Sequence, residues 1–202
     1  MVIVISNPIN IADEASVMNN LFDESLEVLH IRKPSVAIDE IRGLIEKIKP
    51  EYYNRISLHQ YHELAGDFGI KRLHYTETTR KEMSAEMLIK LKAEKYILST
   101  SIHQVQEYNK LYTEFDYTFF GPVFNSISKE GYTAIVADNF IFPVQKNHSK
   151  VVAIGGINAQ NIKKVKQMQF NGVAVLGAIW QHPQESILQF KAIQKSWKQT
   201  GQ

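Results

Sequence analysis

Short β-branched runs alternate with amphipathic helical patterns along the whole of this chain, and that alternation limits the fold more than any other feature. The strand-like runs are VIVIS from Val2, EVLHIR from Glu27, RISLH from Arg55, RLHY from Arg72, KYILSTS from Lys95, DYTFFGPV from Asp116, KVVAIGG from Lys150 and GVAVLGAI from Gly172. Between them, SVAIDEIRGLIEKI spaces Ile38, Ile41, Ile45 and Ile48 for one helical face, and ESILQFKAIQKSW does the same with Ile187, Phe190, Ile193 and Trp197. Strand, helix, strand in repetition means parallel pairing, because parallel neighbours need a crossover that covers the sheet. Eight such units predict an α/β fold: one compact (β/α)8 TIM barrel domain over residues 1–202, with an open doubly wound sheet as the alternative. The chain is short for a barrel, so loops and some helices must be minimal; YHELAGDFG, between the third and fourth runs, leaves room for barely two helical turns.

Charge and composition narrow the function classes. With 23 basic and 21 acidic side chains interspersed, the net charge of +2 announces no face for a polyanion, so nucleic acid is not an expected partner. The absence of cysteine removes disulfides, thiolate zinc sites and cysteine nucleophiles, and fits a reducing compartment. The opening MVIVIS is too short for a signal-peptide core, and no apolar run approaches the roughly 20 residues of a membrane helix. A cytoplasmic protein without a membrane partner is expected.

In a barrel the chemistry belongs where strands end and βα loops begin. In EVLHIR, Val28, His30 and Arg32 share one parity and Leu29 and Ile31 the other, so the polar pair is expected to face inward and Arg32 to wait for an anion at the mouth. SIHQVQE puts Ser101 at a strand end and His103 in the turn before a helix, where the bland reading is that His103 merely helps to start that helix. Gly155 and Gly156 in IGGINAQN, and Gly177 after Leu176 in VAVLGAI, form two strand-to-helix turns whose N–H groups could cradle a phosphate. Glycines that only make tight turns are the competing reading for either one alone. His59 and His62 in LHQYH show no third ligand and read as solvated or hydrogen-bonded, and His74 reads as a barrel-interior residue.

Taken together, these segments resemble the thiamine phosphate synthase family. GPVFNSISK is similar to its GP-x-(F/Y)-x-T-x-T-K segment, SIHQVQE to its S-x-H-x-x-x-E segment, and VVAIGGIN with NGVAVLGAI to its last two strands. The resemblance implies a thiamine-biosynthesis barrel that binds a thiazole phosphate, with Ser126, Ser128, Lys129 and Ser101 beside the anion and His103 on the tautomerase branch's catalytic histidine. The family holds synthases, which join a pyrimidine diphosphate to the thiazole phosphate and release diphosphate, and thiazole tautomerases. Synthases carry Q-x-R-x-K after the second strand, where this chain has His30, Arg32 and Pro34; their Asn-Asp pair after the third strand is His59 and Gln60 here, and Thr79 replaces a second acidic ligand. A tautomerase using His103, with Arg32 and His30 beside it, is therefore expected ahead of a synthase, and a noncatalytic phosphate-ligand sensor is the reading from another class. No cofactor is expected for the tautomerase, Mg²⁺ for the synthase, and a homo-oligomer is left open.

Overall fold

The computed structural model describes residues 1–125, 136–137, 139–145 and 149–199. Eight strands, β1 (Val2–Ile5), β2 (Val28–Ile31), β3 (Ile56–Leu58), β4 (Arg72–Tyr75), β5 (Ile97–Ile102), β6 (Phe115–Phe120), β7 (Lys150–Ile154) and β8 (Gly172–Val175), pair in sequence order into a closed barrel. Every pairing is parallel, and closure is made by Val2, Ile3 and Val4 of β1 against Val173, Ala174 and Val175 of β8. That seam excludes the open sheet.

Alternation along each strand divides the core. Ile3 and Ile5 of β1, Val28 of β2, Tyr117 and Phe119 of β6, Val152 and Ala174 fill the barrel, while Val2, Val4, Leu29 and Ile31 join the layer under the helices. The expected parity of β2 is therefore observed. Around the barrel run α1 (Glu14–Asp23), α2 (Ile38–Glu46), α3 (Leu64–Phe68), α4 (Glu77–Glu82), α5 (Ala85–Ala93), α6 (Val105–Tyr108), α7 (Ile162–Gln167), α8 (Gly177–Trp180) and α9 (Ser186–Gln199). In α2, Ile41 and Ile45 are buried, as is Ile48 just beyond its end, and in α9 Phe190 and Ile193 are buried with Ile187 and Trp197 packed partly against the core. The short link between β3 and β4 holds five helical residues, closed by Gly69 at φ 66°, a left-handed conformation that glycine adopts at no steric cost. No helix among the described residues is long and apolar enough to cross a membrane.

β6 ends at Phe120, three residues short of the expected run, because Pro122 has no N–H to give to a ladder; the chain stays stitched to the end of β7 by Val123 N donating to Ile154 O at 2.9 Å and Phe124 N to Gly155 O at 3.1 Å. Among the described residues between β6 and β7 there is no helix, and phenyl rings cover that flank instead. Phe142 packs on Phe120, Phe170 and Tyr108 with centroids 5.0, 5.5 and 5.2 Å apart, and Phe140 stacks on Phe120 at 5.8 Å.

A buried ion pair fixes the loop after β1. Lys33, wholly buried, meets Glu14 of α1 at 2.7 Å and donates to the carbonyls of Asn7 and Ile9 at 3.0 and 2.9 Å. Its ammonium thus has an oxygen for each of its three protons, and the loop is held down over the strand ends.

Candidate functional site

At the carboxyl ends of the strands lies a cavity of about 390 Å³, large enough for a small phosphorylated heterocycle. Arg32 reaches it from just past β2, His59 from just past β3, His74 from β4, Ser101 and His103 from the end of β5, and Gly155, Gly156, Leu176 and Gly177 from the ends of β7 and β8. Ser126, Ser128 and Lys129 lie outside the described residues.

His103 is placed in a defined tautomer. Its Nδ1 lies 2.8 Å from Gly121 O, and because a carbonyl only accepts, Nδ1 carries the hydrogen and Nε2 keeps the lone pair of the neutral ring. Glu77, at the start of α4, lies near that nitrogen, with Oε2 4.0 Å from Nε2 and Oε1 accepting from Lys81 Nζ at 2.5 Å. Ser101 borders the cavity, and its hydroxyl meets His74 Nε2 at 3.1 Å.

The glycine turn after β7 is close-packed. Gly155 and Gly156 have φ of 99° and 64°, and a Cβ on Gly155 would stand 2.7 Å from Pro122 Cα, one on Gly156 2.5 Å from Asn125 O. Only glycine fits this approach of two chain segments. Neither Gly156 N nor Gly177 N donates to a backbone acceptor among the described residues, whereas Asn158 N is spent on Asn161 Oδ1 at 2.9 Å. The Arg32 backbone N–H is held by Ser6 Oγ at 2.9 Å, which anchors the residue while its side chain borders the cavity.

His30 is not in the mouth. It is fully buried on β2 and does not line the cavity, because its register beside Ser57 places it one layer below Arg32. There it joins His59 and His74 in a cluster: His30 Nδ1 lies 2.8 Å from His59 Nε2, His30 Nε2 lies 2.7 Å from the Tyr117 hydroxyl, and the His59 and His74 rings stack with centroids 4.0 Å apart. His59 is thus an interior, hydrogen-bonded residue rather than a solvated one, and His62 bonds Leu58 O at 3.0 Å. Burial first, and then the neighbouring imidazoles, pushes His30 and His59 well below the ordinary histidine value; burial brings His74 down to about 3. The cluster is neutral at physiological pH.

Neither ordinary metal arrangement fits these groups. Stacked rings point their nitrogens side by side, and 2.8 Å between two ring nitrogens is a hydrogen bond, shorter than the roughly 3.3 Å between ligands on a tetrahedral ion with bonds near 2.0 Å. Magnesium carrying a diphosphate needs carboxylates, and among the described residues Glu77, already holding Lys81, is the only one lining the cavity.

A family model described as thiamine monophosphate synthase matches residues 1–179. The thiamine-phosphate synthase of Staphylococcus saprophyticus is 32% identical over 100 residues, 46% of this chain and 47% of that protein, and that of Histophilus somni is 30% identical over 122 residues, 58% and 54%. The chain spans about half the length of these curated relatives that it matches. Among solved structures, the thiamine phosphate pyrophosphorylase of Bacteroides thetaiotaomicron superposes with a TM-score of 0.73 at 23% identity, over 98% of this chain and 97% of that one. The Pyrococcus furiosus pyrophosphorylase gives 0.78 at 17% identity, over 100% and 96%. At these identities the structural likeness speaks for the fold.

Proposed function

The chain belongs to the thiamine monophosphate synthase family, and on that premise we propose that it is a thiazole phosphate tautomerase in which His103 carries the proton. The observation that supports this reading most is the His103 tautomer, with Nδ1–H on Gly121 O and a free Nε2 near Glu77. Tautomerisation moves a proton from one carbon of an exocyclic-alkene thiazole phosphate to another and leaves the aromatic isomer. A neutral Nε2 takes the proton, the Glu77 carboxylate favours the imidazolium that results, and the same nitrogen returns the proton to the second carbon.

The phosphate is assigned to the turns at Gly156 and Gly177, where main-chain donors carry no side-chain entropy. Gly177→Val is expected to weaken binding of the aromatic thiazole phosphate by roughly 10- to 100-fold, the cost of one hydrogen bond to a charged group, while Ser126→Ala leaves it nearly unchanged. Isothermal titration decides this, and normal binding by Gly177→Val would take the phosphate elsewhere.

A synthase is the second reading, favoured by the names of the curated relatives and by the Arg32 side chain bordering the cavity. Parallel assays separate the readings: the unrearranged thiazole phosphate alone, and the aromatic thiazole phosphate with pyrimidine diphosphate and Mg²⁺. We expect turnover in the first, unaffected by EDTA, and little in the second. EDTA-sensitive condensation would instead make this a synthase with Glu77 as its first candidate ligand, and binding without turnover in either would make it a sensor.

A further inference from the structure

Removing a proton from the thiazole leaves its electron pair spread over the ring, and a group that meets that charge lowers the barrier more than one that only binds the substrate. His59 lines the same cavity as His103, with Nε2 committed to His30, so Nδ1 is the nitrogen it has for a ligand. Which form that nitrogen takes is set two residues away. One hydrogen lies between His59 Nε2 and His30 Nδ1, and one between His30 Nε2 and the Tyr117 oxygen. Burial raises the Tyr117 phenol, which keeps its hydrogen, and a phenol donates to an imidazole nitrogen better than it accepts from one. Tyr117 O–H therefore donates to His30 Nε2, His30 Nδ1–H donates to His59 Nε2, and the remaining hydrogen of His59 sits on Nδ1.

We propose that His59 is a second catalytic residue, whose Nδ1–H donates a hydrogen bond to the negative charge that develops on the thiazole, and that His30 and Tyr117 are positioning residues that hold it in this tautomer. The inference rests on the tautomerase reading. In the step, the carbon–hydrogen bond breaks, its electron pair stays on the ring, the proton passes to His103 Nε2 and then to the second carbon; His59 gains and loses nothing. A histidine kept neutral by its surroundings suits that task, since it polarises without delivering a full proton.

The test combines kinetics with a readout on the free protein. His59→Leu is expected to lower tautomerase kcat by about 10²-fold with KM little changed, the usual cost of one such donor, whereas His59→Asn, whose amide nitrogen stands near the Nδ1 position, retains more activity. Nitrogen-15 spectra of the histidines should show His59 as the neutral Nδ1–H form, and Tyr117→Phe should let the Nε2–H form appear beside it, because no hydroxyl then donates to His30 Nε2 and keeps the His30 hydrogen on Nδ1. Full activity in His59→Leu overturns the proposal and leaves the tautomerase reading intact. So does an Nε2–H form in the unaltered protein, or a shift of all three clustered imidazoles on adding Zn²⁺, which would make them a metal site. If the unaltered protein turns over no thiazole phosphate, the reading falls, and the aromatic thiazole phosphate becomes the probe: movement of the His59 Nδ1 resonance on binding supports His59 as a ligand donor, and its absence overturns it.

Discussion

His103→Ala should lower tautomerase turnover by about 10² to 10⁴ and leave affinity for the aromatic thiazole phosphate nearly unchanged. The two quantities separate because the proposed proton carrier and the proposed phosphate cradle come from different strands, β5 for His103 and the ends of β7 and β8 for the glycine turns. His103→Asn sharpens the result. Its amide nitrogen can still donate to Gly121 O, which occupies the Nδ1 position, but it offers no basic lone pair at the place of Nε2. A loss as large in Asn as in Ala would identify the missing base rather than a displaced loop, and unchanged turnover in either would move proton transfer off His103.

Lys33→Met should cost about 3–5 kcal/mol of stability at neutral pH, the usual consequence of leaving one member of a buried pair uncompensated. Glu14 then keeps a carboxylate that is 3% exposed and whose second oxygen, Oε1, already has no partner among the described residues. The pH dependence has a definite sign. Burial raises Glu14 above its ordinary value of 4.5, and removing the Lys33 ammonium raises it further. Between the unfolded and folded values the native state binds more protons, so stability falls as pH rises through that window and returns as pH is lowered. Urea denaturation of Lys33→Met at neutral and mildly acidic pH should therefore show the defect shrinking in acid, and the double variant with Glu14→Leu should recover much of it. A defect independent of pH would mean that the lost contacts to Asn7 O and Ile9 O dominate.

The elements of the barrel were readable because each is local: the isoleucines of α2 and the alternation in β2 announce their own partners. Closure was expected from the count of eight units, but the register of its seam was not legible, since it rests on β1 meeting β8 across nearly the whole chain. The same division holds in the site. His103 and the glycine turns could be found from the sequence because strand-to-helix loops are where barrels carry their polar groups. The cluster under the cavity could not, because His30 finds His59 at a separation of 29 residues and Tyr117 at 87, in a register that parity alone does not give. Ser101 lines the cavity from its strand end, and its contact with His74 is one that the sequence does not announce.

The ring-covered flank between β6 and β7 has a further consequence. A helix there would carry its own ladder of hydrogen bonds, whereas among the described residues the backbone N–H groups of Phe140, Phe142 and Val144 donate to Ala137 O, Met168 O and Phe142 O, which make no such ladder. Phe120, against which the rings pack, immediately precedes Gly121, the residue whose carbonyl meets His103 Nδ1. The alignment of His103, and with it the proton transfer proposed for it, should therefore depend on the packing of phenylalanines that do not line the cavity.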